Sequence, residues 1–214
     1  MRAAFGSGIV PTAESLSYAQ QFGATDIVPG TDHLPSYDGT WSLQDLIKLR
    51  ISVENFGMKL SAIENVPIEF YDHIMINGPK RDEQIEKMII TVQNMGRAGI
   101  PIFGYHWMPS MVWRSPTATI RGGAVATAFN YKEASKIPLT HNREYTDEEM
   151  WENLEYWIKI ITPIAEEEGI RLGIHPCDPP VEKLGGIPQF FRSYDNYRRY
   201  LDIYPSDYCA IEFC

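Results

Sequence analysis

The feature that most limits what this chain can fold into is a repeated alternation of short apolar runs with long helical stretches, punctuated by capping residues. Apolar runs of strand length fall at residues 2–5, 25–28, 59–64, 100–105, 171–175 and 209–214. Helical periodicity occupies residues 13–22, 43–56, 82–98, 147–168 and 194–203. Thr12, Ser42 and Ser193 stand where an N-cap oxygen would accept from free backbone N–H groups. Thr146 and Glu149 have the spacing of a capping box. Gly57, Gly99 and Gly169 each follow a helix and precede the next apolar run.

Strand–helix–strand repetition of this kind demands parallel pairing through right-handed crossovers. A doubly wound sheet and a (β/α)8 barrel both satisfy it. No GxGxxG or P-loop glycine pattern follows any apolar run, which weakens a nucleotide-binding sheet. The expectation is therefore an α/β fold: a partial TIM barrel of about six parallel strands with intervening helices. A complete barrel has eight strands and about 250 residues, whereas this chain has 214 residues. Residues 1–214 are expected to form a single incomplete catalytic domain, since no linker, internal repeat or low-complexity tract interrupts them.

Composition narrows the partners. The formal charge of −9 opposes nucleic-acid binding, which needs a basic face. It leaves room for a small anionic substrate, because a site needs only one or two local cations. No stretch has the ~18 apolar residues of a membrane span, and the first residues lack the apolar core of a signal peptide. Cys177, Cys209 and Cys214 are an odd, sparse set, unlike a disulfide framework. These observations predict a cytoplasmic chain with no membrane partner.

In parallel α/β folds, chemistry gathers at the carboxyl ends of strands. The polar residues there are Asp32-His33, Glu64-Asn65, Tyr105-His106, His175-Pro176-Cys177-Asp178 and Glu212-Phe213-Cys214. His175 and Cys214 close consecutive predicted strands, which lie ~4.8 Å apart. An imidazole and a thiolate so placed suit Zn2+, Fe2+ or Mn2+; a hydrogen-bonded rim histidine and an apolar core thiol fit the same spacing. Asp178, stiffened by two prolines, suits orienting a ligand or a hydroxyl, or a simple Asx-turn. His106 and Asp178 are the candidate catalytic groups. His33, Tyr105, His106, Arg114 and Asp178 are the candidate substrate contacts, Arg114 as a fork for a carboxylate. Tyr105 and Glu64 each read as a hydroxyl binder or as a residue packed at the barrel top. The long interval 106–146, with Trp107, Trp113, Arg114, Arg121 and Gly122-Gly123, reads as an irregular cover over the site.

Several of these segments together resemble the mannonate dehydratase family of the xylose-isomerase-like TIM barrels. They are Asp32-His33-Leu34-Pro35, Trp41-Ser42-Leu43, Glu64-Asn65-Val66-Pro67-Ile68 and Tyr105-His106-Trp107-Met108-Pro109. His175-Pro176-Cys177-Asp178-Pro179-Pro180, Leu184-Gly185-Gly186-Ile187-Pro188 and Phe213-Cys214 complete the set. The resemblance implies dehydration of D-mannonate to 2-keto-3-deoxy-D-gluconate, in hexuronate catabolism, with Mn2+ or Fe2+. It places the first metal-ligating histidine at His175 and the ligating cysteine at Cys214. The family's remaining two ligands would follow Cys214, so a truncated chain with little activity alone is expected. A homo-oligomer is compatible with the resemblance. The family commonly carries a second histidine where Asp32 stands, Asn at His106, Asp at Cys177 and Thr-Asp at Ser115-Pro116. These departures leave two alternatives open: a sugar isomerase or epimerase of the same group, and a non-catalytic sugar-binding remnant.

Overall fold

A computed structural model describes residues 2–6 and 9–214. Along the chain run β1 (Ala4–Gly6), α1 (Ala13–Gln21), β2 (Asp26–Val28), α2 (Leu43–Glu54), β3 (Lys59–Leu60), α3 (Asp72–Met75), α4 (Arg81–Ala98) and β4 (Ile102–Tyr105). Then come β5 (Ser115–Thr119), β6 (Val125–Ala128), α5 (Tyr131–Ala134), α6 (Asp147–Glu168) and β7 (Arg171–Ile174). The short β8 (Lys183–Leu184) and β9 (Ile187–Pro188), α7 (Tyr194–Ile203) and β10 (Cys209–Ile211) complete the described chain.

The predicted caps form. Thr12, Ser42, Thr146 and Ser193 accept from the backbone N–H of Ser15, Asp45, Glu149 and Asn196 respectively. Thr146 and Glu149 close a reciprocal capping box. Two parallel ladders result, β1-β2-β3 and β10-β7-β4. Ile63 joins them: it pairs in parallel with Phe103, its N–H donates to the Ile102 carbonyl at 3.1 Å, and its own carbonyl accepts from Gly104 at 2.9 Å. The combined order β1-β2-β3-β4-β7-β10 follows the chain without reversal. A doubly wound sheet reverses its strand order at a switch point, so this winding is that of a barrel. Among the described residues, β1 pairs only with β2 and β10 only with β7, which leaves an open arc.

Strand side chains alternate between two environments. Phe103, Tyr105, Leu172 and Ile174 are fully buried on the helix side. They pack in one core with Met88, Val92 and Met95 of α4 and with Leu154, Trp157, Ile158 and Ile161 of α6. Those helix residues recur at three and four positions, the apolar stripe of an amphipathic helix. The concave side carries many small residues: Ala4, Gly6, Ala62, Gly173 and Ala210, together with Val28, Ile102 and Arg171, line an open cavity of about 580 Å³.

Two expectations need correction. The last strand, predicted to reach residue 214, ends at Ile211. Beyond it the Cys214 N–H turns back onto the Glu212 carbonyl at 2.8 Å, closing a three-residue turn. The interval 106–146 is not irregular: β5 and β6 pair antiparallel around Arg121-Gly122-Gly123. Both glycines take positive φ, 72° and 82°, which a hairpin reversal favours and a side chain resists. After α5 the chain returns along the β8–β9 hairpin, the N–H groups of Thr140 and Tyr145 donating to Gly185 and Gly186 at 2.9 Å each. Among the described residues no helix is long and apolar enough to cross a membrane.

Thr146 opens α6, which sends Met150, Trp151, Leu154, Trp157, Ile158 and Ile161 into the core. Thr146→Ala is expected to lower unfolding free energy by about 1 kcal/mol, read as a shifted urea midpoint with an unchanged slope.

Candidate active site

A two-residue rule builds the site. At four adjacent strand ends a small residue facing the concave side is followed, two positions later, by a polar one: Ala62 and Glu64, Gly104 and His106, Gly173 and His175, Ala210 and Glu212. Because side chains alternate along a strand, each polar residue stands directly above its small neighbour. Glu64, His106, His175 and Glu212 thus line one cavity of about 690 Å³ at the carboxyl ends of the strands. Arg114, Asp178 and Cys214 line it too.

At its floor, one ligand atom from each of Glu64, His175 and Glu212 lies within 4.8 Å of the others. The His175 Nε2 stands 3.0 Å from Glu212 Oε2 and 3.7 Å from Glu64 Oε2. Neither approach is a hydrogen bond, the one to Glu64 being too long, and Nε2 is buried without a partner. Register explains the meeting. Ile211 pairs with Ile174, and the Glu212 N–H donates to the Ile174 carbonyl at 3.0 Å, which sets Glu212 beside His175. Gly104 makes room from below: a Cβ there would lie 2.8 Å from both Glu212 Oε2 and Glu64 Cβ. Burial pushes the Glu64 carboxyl up and the His175 imidazole down, the charge of Asp178 partly opposing the latter. A half-buried imidazole between two carboxylates is the donor chemistry of a divalent-cation site, so these residues fit such an ion.

Above this floor Arg114 and Asp178 pair through two hydrogen bonds, one of 2.8 Å from Nη1 to Oδ1 and a second from Nη2 to Oδ2. The pair raises the Arg114 pKa and ties the segment before β5 to the loop after β7. His106 is 8% exposed, and its Nδ1 has no partner. Burial, reinforced by the neighbouring His175, lowers its pKa to about 4, so it is neutral near pH 7.

The structure therefore gathers His106, Arg114, Asp178, His175 and Cys214 at one cavity. It does not bring in Tyr105, expected there as a substrate contact. One position before His106, Tyr105 has the opposite strand parity and packs fully buried against Trp157, Tyr71 and Phe103. His33 also stays outside the cavity lining; its Nε2 is buried without a partner, and burial lowers its pKa against the opposing charge of Asp32. Cys214 is exposed and outside the group formed by Glu64, His175 and Glu212. Sequence reading missed Glu212 as a partner of His175, although the small-x-polar spacing at each strand end marks it.

A barrel-wound arc with polar groups at its carboxyl rim defines the class of fold: the TIM barrels. D-psicose 3-epimerase, solved in the presence of D-fructose, shares the fold at TM-score 0.60 and 12% identity, covering 99% of this chain and 62% of that one. Within that class, the D-mannonate dehydratase (UxuA) family model matches residues 3–144 and 136–214, and the chain belongs to that family. Mannonate dehydratases of Streptococcus equi subsp. zooepidemicus and Streptococcus pneumoniae are 32% and 29% identical over 200 residues, 81% of this chain. The crystal structure of mannonate dehydratase from Streptococcus suis serotype 2 superposes at TM-score 0.83 with 28% identity, covering 99% of this chain and 62% of that one. The chain spans 54% of those two curated relatives, about half their length.

The depressed His106 pKa has a sign that can be measured. The unfolded imidazole, near 6.5, takes a proton before the folded one does. Stability is therefore lost as pH falls from about 6.5 toward about 4, on the order of 3 kcal/mol from this group. Urea unfolding at pH 7 and pH 4.5 should show a smaller acid loss in His106→Asn than in the parent chain.

Proposed function

We propose that this cavity serves the dehydration of D-mannonate to 2-keto-3-deoxy-D-gluconate, with residues 1–214 acting as one incomplete barrel domain. The observation that carries the reading is the convergence of His175 with two carboxylates below a guanidinium, in a chain of the mannonate dehydratase family. The carbon beside a carboxylate gives up its proton only if the resulting negative charge is stabilised. A divalent ion, Mn2+ or Fe2+, supplies that stabilisation when bound. His175 would hold it, together with donors from the neighbouring strand ends, among which the family resemblance places Cys214.

The remaining residues bind and orient. Arg114 offers two parallel N–H donors to the sugar-acid carboxylate, exchanging its Asp178 partner for the substrate. Asp178, released by that exchange, can accept from a sugar hydroxyl. His106 is neutral, so its ring is a hydrogen-bond partner for a hydroxyl rather than a standing imidazolium. The acid–base roles considered for His106 and Asp178 require substrate contact at His106 Nδ1 and at the Asp178 carboxylate.

A thermal-shift screen with Mn2+ tests the reading. D-mannonate is expected to raise the melting temperature by several degrees only when Mn2+ is present, and Arg114→Ala to abolish that rise. Stabilisation by ketoses and none by aldonic acids would overturn the assignment in favour of an isomerase or epimerase. Stabilisation by sugars without any metal dependence would point to a binding remnant.

A further inference from the structure

We infer that Met108 is a positioning residue for the cavity: its thioether holds the Asp178 backbone, and through Asp178 it sets where the Arg114 fork stands. The inference rests on the reading of Arg114 as the carboxylate-binding group proposed above.

An accounting of main-chain donors carries the argument. The loop from His175 to Val181 contains Pro176, Pro179 and Pro180, which have no N–H. Four N–H groups remain. That of His175 donates to the Tyr105 carbonyl at 2.8 Å, that of Cys177 to the Phe191 carbonyl at 2.7 Å and that of Val181 to the Pro179 carbonyl at 2.9 Å. The fourth, of Asp178, donates to the Met108 Sδ at 3.0 Å. A thioether is a weak acceptor, and here it receives the one N–H that stands next to a cavity-lining carboxylate. Met108 is 3% exposed and lines the same cavity as Arg114 and Asp178.

The turn that carries this sulfur also leads to the guanidinium. The Met111 N–H closes back on the Met108 carbonyl at 2.8 Å, and Met111 takes a left-handed φ of 61°. The segment from Met108 to Arg114 thus grips Asp178 twice: the sulfur takes its N–H, and the guanidinium takes its carboxylate. The segment is itself fastened from outside. His141 Nε2 stands 3.0 Å from the Pro109 carbonyl, and the Ser110 hydroxyl donates to the Leu184 carbonyl at 2.9 Å. Without the sulfur, the Asp178 N–H would be left partly buried with no acceptor, and the loop would shift to bring it to water. The carboxylate would move with its backbone, and Arg114 would lose its bearing over the cavity.

The experiment uses the whole chain. Met108→Leu keeps volume and apolar character while deleting the acceptor. Met88→Leu, on the buried face of α4, controls for the side-chain exchange alone. The first readout is amide hydrogen exchange resolved by residue with NMR. The Asp178 amide is expected to exchange about tenfold faster in Met108→Leu, with no such change at Cys177 and none in Met88→Leu. Arg114→Ala should leave the Asp178 amide protected, because the sulfur holds the backbone independently of the carboxylate. The second readout is melting with Mn2+ present. The rise produced by D-mannonate should shrink in Met108→Leu toward that of Arg114→Ala, while the rise produced by Mn2+ alone persists. Equal Asp178 exchange in Met108→Leu and the parent chain would overturn the inference and leave the proposed function standing, as would an undiminished response to D-mannonate in Met108→Leu. A parent chain with no Mn2+-dependent response to D-mannonate would overturn the proposed function, and Asp178 exchange would still decide for or against the hold by Met108.

Discussion

The alternation of side chains along adjacent parallel strands is the constraint on which the rest depends. It sends Phe103, Tyr105, Leu172 and Ile174 into the helix layer and leaves the concave side to their neighbours. That side is furnished in two tiers. Directly beneath the glutamates and histidines of the upper tier stand glycine and alanine: Ala62, Gly104, Gly173 and Ala210. Barrel interiors are ordinarily filled by bulky branched side chains. Here the small lower tier gives the upper one space to lean inward, so residues from β4, β7, β10 and the segment after β3 converge. One residue of slip in the β7–β10 register would turn either His175 or Glu212 toward the helices.

Much of this was legible in the sequence because it is encoded locally. Caps at Thr12, Ser42, Thr146 and Ser193 need only a hydroxyl and the next few residues. The order of the strands follows from the crossover rule once strands and helices alternate. The hairpin of β5 and β6 was equally local, with alternating residues on both sides of Gly122-Gly123, yet it passed for irregular chain because its strands are exposed and weakly apolar. Apolar patterning reports burial, so an exposed hairpin escapes it.

The site was half legible. Placing polar residues at strand ends located the rim and brought His106, Arg114, Asp178, His175 and Cys214 into view. What it lacked was register. His175 and Cys214 appear matched if both strands end at those residues, but the ladder aligns Ile174 with Ile211 and sets Glu212 beside His175. Register depends on how two distant segments slide past each other, and no window of sequence contains both. For Tyr105 both a hydroxyl contact and packing at the barrel top were open, and strand parity, by which neighbouring residues face opposite ways, sets it among the helix-side aromatics.

The pairing of Arg114 with Asp178 has a consequence for how ligands depend on one another. Each cancels the other's charge, so the balance at the mouth is set by Glu64 and Glu212 below. Two carboxylates so placed make the mouth repulsive to an anion and attractive to a cation. Because coupling between two ligands is reciprocal, a cation held there and an anion held above it would each raise the other's affinity by the same factor. The pocket would behave as a two-key lock, holding each partner firmly only in the presence of the other.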